Sequence, residues 1–502
     1  MRTWDLALPV AREGGEPLFL QISRAVAEAI RAGRLRPGEP VPGTRTLAHT
    51  LGVHRNTVLA AVRELVAEGW LVTSPARGTF VSQALPERRP RPFAEPPPAR
   101  SARRVGFALK PAPSPWGETQ FPPGAAVLVG GRPDLTMVPA ASLGRAYRRA
   151  LKRHGANLLG YGNARGHERL RAAVAGMLAT TRGLDVTAAQ VVITRGSQMA
   201  SFLAARALLS PGDVVAVEAL GYPPAWEAMR ASGARLVPVP VDVDGMNVAA
   251  LAALMRTEPV RAVYLTPHHQ FPTTVSLSPG RRLELLTLAQ AKRVLVIEDD
   301  YDHEFHYEGR PILPLASADR AGVVVYLGTL SKVLAPAVRT GYIVAPEPVI
   351  DRLAAHRAFV DISGDPVVEA ALAELFEDGE VQRHVRRARR VYQSRRDALV
   401  QALRDELGAH AHFEVPTGGM ALWCRLEGID VEPWVAACAA AGVRFQAGRM
   451  FAFDGRPRPC VRLGFAAVNE TQIRAAVRTM AALAKEHRTA RRTRAARAAA
   501  TA

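Results

Sequence analysis

The chain has 502 residues, 48% hydrophobic and 22% charged, a composition that fits two or three globular cores and excludes a fibrous or wholly disordered polymer. A formal net charge of +19 points to an anionic partner, most simply nucleic acid. No apolar run is long enough to span a membrane and no secretory signal is expected; Cys424, Cys438 and Cys460 lack metal spacing and read as core filler in a reducing cytoplasm.

Residues 17–82 read as helix, helix, helix, hairpin. The first helix, from Leu18 to Arg31, carries Leu20, Ile22, Val26 and Ile30 at helical spacing and stops before Gly33 and Pro37-Gly38. Thr44 is expected to cap a short second helix with Leu47, Ala48 and Leu51 inward and Gly52 at its end. A third helix, from His54 to Glu68, places Val58, Leu59, Val62, Leu65 and Val66 on one side, and Gly69 closes it. Two short strands, Trp70 to Val72 and Thr79 to Val81, flank a polar turn at Pro75 to Gly78. Two short helices joined at LGV and followed by a hairpin make a winged helix-turn-helix. Its third helix would enter the major groove of double-stranded DNA with His54, Arg55, Asn56 and Thr57 in its first turn. Arg and Asn are the side chains that read guanine and adenine bidentately. Arg45 is placed to reach a phosphate, and Gly78 lets the wing tip approach the DNA backbone. The segments RLRPGEPVPGTRTLA, LGVHRNTV and GTFV give this unit its resemblance to the DNA-binding domain of the GntR family.

Residues 83–120 are dense in Pro and Arg and read as a linker. Residues 121–484 alternate helical patterns with short apolar strands: Val191 to Thr194, Val214 to Glu218, Ala262 to Thr266, Val294 to Asp299 and Val323 to Gly328. Strands apolar on both faces indicate an α/β sheet, largely parallel. The turn TRGSQMA, from Thr194 to Ala200, opens a helix and presents the amides of Ser197 and Gln198 to an anion. The stretch IEDDYDHEFHYEG, from Ile297 to Gly309, puts carboxylates at a strand end, where ligands of such sheets bind. Asp299, Asp302, His303 and His306 are possible metal donors, but His303 and His306 read as exposed helix residues and His268-His269 as polar lining, so no metal is expected. Lys332, in TLSKVLAPAVRTGY, is one of five lysines among 65 basic residues. An amine can lose its proton and form an imine, whereas a guanidinium cannot. The basic stretch 485–502 is expected to be a disordered tail.

A phosphate turn, an acid, a tyrosine and an imine-capable lysine, in this order, describe a pyridoxal 5′-phosphate (PLP) site. Residues 121–484 resemble the fold-type I aminotransferases, with a large mostly parallel sheet and a smaller C-terminal α/β subdomain. The joined chain resembles the MocR/GabR subfamily of GntR regulators. The resemblance implies that Lys332 carries the cofactor as a Schiff base, Asp299 pairs with its ring nitrogen, Tyr301 bonds its ring oxygen and Tyr222 stacks on the ring. It assigns the phosphate to Ser197, Gln198, Thr329 and Arg339, a substrate carboxylate to Arg462, and a dimer-contact signature to Tyr161 and Arg165. His268, Thr274, Leu220 and Pro224 depart from family patterns; Thr274 stands where aminotransferases have the Gly of NPTG, and no Asn occupies that motif's Asn position, for which Gln270 is the candidate substitute. The implied protein is a cytoplasmic regulator that binds operator DNA and senses a small amino compound as a head-to-tail, domain-swapped homodimer. A working aminotransferase with an accessory DNA-binding unit is the alternative.

Overall fold

The computed structural model describes residues 17–75, 77–86, 105–109, 117, 120–309 and 312–500, with side chains through 487. Most of the expected linker lies outside the described residues. The chain divides into two compact units, Met1–Pro111 and Ala112–Ala502.

In the first unit, helices Leu18–Arg31, Thr44–Leu51 and Arg55–Ala67 pack Ile22, Val26, Ile30, Leu47, Val58 and Leu65 into one core with Trp70 and Val81. Thr44 is the first helical residue rather than the cap; Gly43 holds the cap position and makes no side-chain bond there. Gly52 ends that helix in the left-handed conformation, with φ 61°. The apolar face of the third helix centres on Val58, Ala61 and Leu65, and Val66 is 37% exposed. Ala61 also ties the third helix to the first: its carbonyl accepts a bond from Ser23 Oγ at 3.3 Å. The wing pairs Leu71–Ser74 with Gly78–Val81, and a third strand, Pro40–Val41, adds to its edge. Two residues beginning with Pro leave almost no strand signal, yet an edge position tolerates Pro's missing N–H.

The second unit is built on a seven-stranded sheet. Across it run Val191–Thr194, Gly341–Val344, Val324–Thr329, Leu295–Asp300, Val260–Leu265, Val214–Glu218 and Arg235–Val239. The last five are mutually parallel, whereas Gly341–Val344 is antiparallel to both neighbours. Helices cover both faces, and most of the strand residues are buried. Arg235–Val239 escaped the sequence pattern because it is a half-exposed edge strand carrying Arg235 and Pro238. Gly341–Val344 escaped it because it returns at once from the loop that holds Lys332.

A smaller subdomain pairs Ala411–His412, Ala421–Leu426, Cys460–Gly464 and Gln446–Ala447 in an antiparallel sheet. Its core takes in Trp434, Phe445, Leu422 and Ile473 and includes helices Glu380–Leu407, Val431–Ala440 and Glu470–Ala500. Cys424 and Cys438 are buried there, and desolvation pushes both thiols up to about 12, so they act as small apolar groups. The final helix continues to Ala500, where a disordered tail from 485 was expected. Alanines and arginines, both good helix formers, account for this. Among the described residues no helix is long and apolar enough to cross a membrane.

Candidate cofactor site and nucleic-acid interface

In the winged unit, His54 caps the third helix: its Nδ1 accepts from the Asn56 amide at 3.2 Å. That bond orients the first turn, in which His54, Arg55 and Asn56 are exposed and Thr57 half-buried. Arg55 Nε reaches back toward Thr44 Oγ1 at 3.5 Å, and Arg45 is exposed on the second helix. Gly78 has φ 102°, a conformation that side chains disfavour, so the turn itself requires glycine. Arg55→Ala is expected to weaken specific DNA binding by about 1–3 kcal/mol if the guanidinium reads a base. Fluorescence anisotropy on operator and scrambled duplexes checks this; equal loss on both would make Arg55 a phosphate contact.

In the second unit, a cavity of about 440 Å³ opens between the large sheet and the smaller subdomain. Ser197, Tyr222, Asp299, Tyr301 and Lys332 line it together, although they come from four separate segments. The shared cause is topological: strand ends and the loops after them meet on one side of a parallel sheet.

Asp299 is buried near the end of Leu295–Asp300. Tyr264 donates its hydroxyl to Asp299 Oδ2 at 2.7 Å, while Oδ1 has no hydrogen-bond partner. Burial pushes this carboxyl up to about 6; Tyr264 and Lys332 pull it down and Asp300 pushes it further up. Burial also lowers the Lys332 amine to about 8, with the Arg462 guanidinium adding to the effect. Gly131, with φ 75°, gives the amine room: a Cβ there would lie 3.4 Å from Lys332 Nζ.

Arg462, on strand Cys460–Gly464, is 1% exposed. Its guanidinium carbon sits 4.3 Å from the Phe271 ring centroid, and Nη2 donates to the Tyr301 hydroxyl at 3.4 Å. Nε and Nη1 are buried without partners. Two unpaired donor nitrogens on a buried guanidinium are costly unless an acceptor binds them. A Cβ on the cavity-lining Gly130 would collide with this guanidinium, which places Arg462 directly behind the cavity wall.

Gly196, with φ 81°, turns the chain into helix Ser197–Leu208, whose first amides a helix leaves unpaired. Three residues assigned to phosphate sit apart from the cavity lining. The Gln198 side chain donates to the Pro224 carbonyl at 2.8 Å, leaving only its backbone amide for an anion. Thr329 Oγ1 accepts from the Ser331 amide at 3.1 Å. Arg339 donates to the Arg195 carbonyl at 2.8 Å and borders a neighbouring pocket of about 170 Å³. Gln270 is likewise occupied: its amide donates to the Leu220 and Phe271 carbonyls, each at 2.7 Å, so it braces its loop. In that loop Thr274 has φ 66°, the left-handed conformation that explains the family's Gly and that a β-branched residue strains to hold.

The sequence reading missed Gly130, Gly131, Arg132, Thr266, Phe271 and Gln446 in the cavity wall. The Gly130-Gly131 pair was a usable signal. Phe271 and Gln446 carried none, because apolar loop residues and short-strand glutamines are common everywhere. The metal reading needs correction too: His303 is buried, and neither it nor His306 lies in a helix.

The residues present fit PLP. Asp299 Oδ1 is an orphaned buried acceptor suited to a pyridinium N–H, Lys332 is a buried amine of lowered basicity, and a helix N-terminus supplies amides for a phosphate.

Comparison with known proteins agrees. Residues 139–480 match the aminotransferase class I and II family, and residues 18–81 match the gntR family of bacterial regulatory proteins. The chain is 30% identical to the probable rhizopine catabolism regulatory protein MocR of Rhizobium meliloti, over 94% of this chain and 95% of that one. It is 31% identical to the transcriptional regulator TauR of Rhodobacter capsulatus, over 90% of this chain and 94% of that one. Among solved structures, LysN of Thermus thermophilus, an α-aminoadipate aminotransferase complexed with N-(5′-phosphopyridoxyl)-L-leucine, superposes with a TM-score of 0.68 at 29% identity, covering 72% of this chain and 93% of that one. The chain therefore belongs to the MocR/GabR subfamily of GntR-family transcriptional regulators, in which a winged helix-turn-helix unit is joined to a PLP-binding aminotransferase class I and II domain.

Proposed function

We propose that this regulator binds operator DNA through Arg45, Arg55, Asn56 and the wing, and reads a carboxylate-bearing amino compound in the PLP cavity. The observation that carries this reading is the set of groups around one cavity: the unpartnered Asp299 Oδ1, Arg462 Nε and Arg462 Nη1, together with the Lys332 amine of lowered basicity. PLP supplies an aldehyde that condenses with amines. The chain's part is to hold and select. Asp299 accepts the ring N–H, with Tyr264 fixing its other oxygen. Tyr222 packs edge-on to Phe271, 5.1 Å between centroids, and so walls the ring's space. Arg462 takes a carboxylate in a bidentate grip, held in place by Phe271 and Tyr301. Occupying that grip favours one arrangement of the domain over another, and through it one DNA affinity; the coupling works equally in reverse.

The test is a visible absorption titration of the PLP-loaded protein with a panel of amino acids and amines, with and without a keto acid. A saturating spectral change without sustained keto-acid consumption is expected. Steady consumption would instead make the chain a working aminotransferase, the reading favoured by an amine poised at about 8 for proton transfer.

A homodimer belongs to the same proposal. Leu159, Tyr161, Phe359, Val360 and Ile362 are all exposed, and Phe359 is 95% so. The two segments that carry them are joined by the bond from the Gly162 amide to Ser363 Oγ at 3.1 Å. Such an apolar patch marks an association surface. Phe359→Asp is expected to weaken dimerisation by about 2 kcal/mol or more, the scale of a central interface aromatic. Sedimentation velocity across a dilution series checks this, and an unchanged dimer would remove the patch from the interface. In the head-to-tail, domain-swapped form of this dimer, each winged unit would lie on the partner. Such a regulator would work in the cytoplasm.

A further inference from the structure

Beside the cofactor cavity, two loops bring four histidines together: His268 and His269 from one, His303 and His306 from the other. The His268 ring lies 4.3 Å from that of His269 and 4.3 Å from that of His303, stacked on the latter. One nitrogen each of His268, His269 and His306 lie within 4.8 Å of one another. His268 is 3% exposed, and neither of its nitrogens has a hydrogen-bond partner. The His306 nitrogens also lack a bond in hydrogen-bond geometry, although the Glu308 backbone approaches that ring. Buried imidazole nitrogens are normally satisfied, so their lack of partners calls for a cause.

The surroundings supply what a dication needs. His269 Nδ1 donates to Asp302 Oδ1 at 2.7 Å, which fixes the tautomer and leaves Nε2 with the lone pair. A carboxylate behind a histidine is the arrangement that orients metal-ligating imidazoles. Asp300 adds a second buried carboxylate: its Oδ2 lies 3.0 Å from His303 Nδ1, off the hydrogen-bond line, and accepts from the Tyr326 hydroxyl at 2.7 Å. Arg182 stands 3.8 Å from Asp300, but its Nη2 is directed to Glu304 at 2.5 Å. An entry path exists, because His303 and His306 border a second cavity of about 340 Å³ whose lining is distinct from that of the cofactor cavity.

We infer that His268, His269 and His306 form a binding site for a divalent transition-metal cation of borderline softness, Zn²⁺ being the best fit. Three imidazoles with one open position suit Zn²⁺ and its first-row neighbours rather than Mg²⁺ or Ca²⁺, which take oxygen ligands. Zn–N bonds of about 2.0–2.1 Å put tetrahedral nitrogens roughly 3.3 Å apart, so nitrogens now within 4.8 Å of one another must draw together by up to about 1.5 Å. Ring rotations of that size are small on loops. The two loops also carry Thr266, Phe271 and Tyr301 of the cofactor cavity wall, so the ion would clamp that wall from behind.

The test uses the full-length PLP-loaded protein, stripped with a chelator and re-equilibrated with Zn²⁺ alone, beside His268→Ser and His306→Ala. Metal content after desalting is read by atomic emission, and PLP content by absorbance. The expected result is about one Zn²⁺ per wild-type chain, at least tenfold less in both variants, and PLP content unchanged in all three. Wild-type protein with less than a tenth of an equivalent would overturn the site, as would variants that keep the full content. Should a variant lose PLP as well, Co²⁺ bound to the wild type decides: intense visible bands of a low-coordinate nitrogen site support the inference, and a spectrum like that of aqueous Co²⁺ overturns it.

Discussion

Lys332→Ala is expected to leave no PLP fixed to the chain after borohydride treatment, whereas the wild type retains one equivalent. Mass spectrometry of the intact protein reads the difference directly, and an unchanged adduct in the variant would remove Lys332 from this role. The expectation rests on placement and basicity together. Lys332 lines the cavity with Asp299 and Tyr301, and Gly131 keeps space open beside Nζ. The amine's lowered value of about 8 sets a sign for the pH dependence. Only the deprotonated amine attacks a carbonyl. The rate of PLP attachment should therefore rise with pH and level off above about 8, where a solvated lysine would go on rising to its ordinary value of 10.5. At neutral pH about one amine in ten is already free, by the ordinary logarithmic relation between pH and pKa. Lys332→Arg should fail as completely as Ala, because a guanidinium keeps its charge.

Arg462→Ala should carry the second large effect, on the effector rather than on PLP. Losing a buried, charge-assisted bidentate partner costs about 2–5 kcal/mol, or roughly 30- to several-thousand-fold in affinity for a carboxylate-bearing amino compound. Amines without a carboxylate should lose far less. Titration of the PLP absorption band with an amino acid and its decarboxylated amine separates the two. Equal losses for both would mean that Arg462 supports the wall instead of gripping the ligand. Its bond to Tyr301 is long, at 3.4 Å, and two of its nitrogens are unpaired, so the guanidinium is not already spent on the protein. PLP content should hold, since Asp299 takes its support from Tyr264 and not from Arg462.

Local patterns in the sequence determined much of this protein. Helical spacing and punctuating glycines defined the winged unit, because its helices are short, amphipathic and stopped by residues that cannot continue them. Short apolar runs such as Val191–Thr194 and Val214–Glu218 marked buried strands to the residue, since strands covered on both faces have no polar side to blur the signal. Lys332, Asp299, Tyr301, Tyr222 and Ser197 were legible as one set because their order along the chain carries the resemblance. Tertiary structure decided what depends on distance. It set Gly341–Val344 antiparallel within an otherwise parallel run, and gave Gln198, Thr329, Arg339 and Gln270 to backbone partners instead of the cavity wall. It left Asp299 Oδ1 bare while satisfying Oδ2, a distinction between two oxygens of one side chain that no residue pattern encodes. It also gathered His268, His269 and His306 from positions that read as polar lining and helix surface. A loop's side chains are aimed by the turns and packing around them, and that direction exists only once the chain has folded.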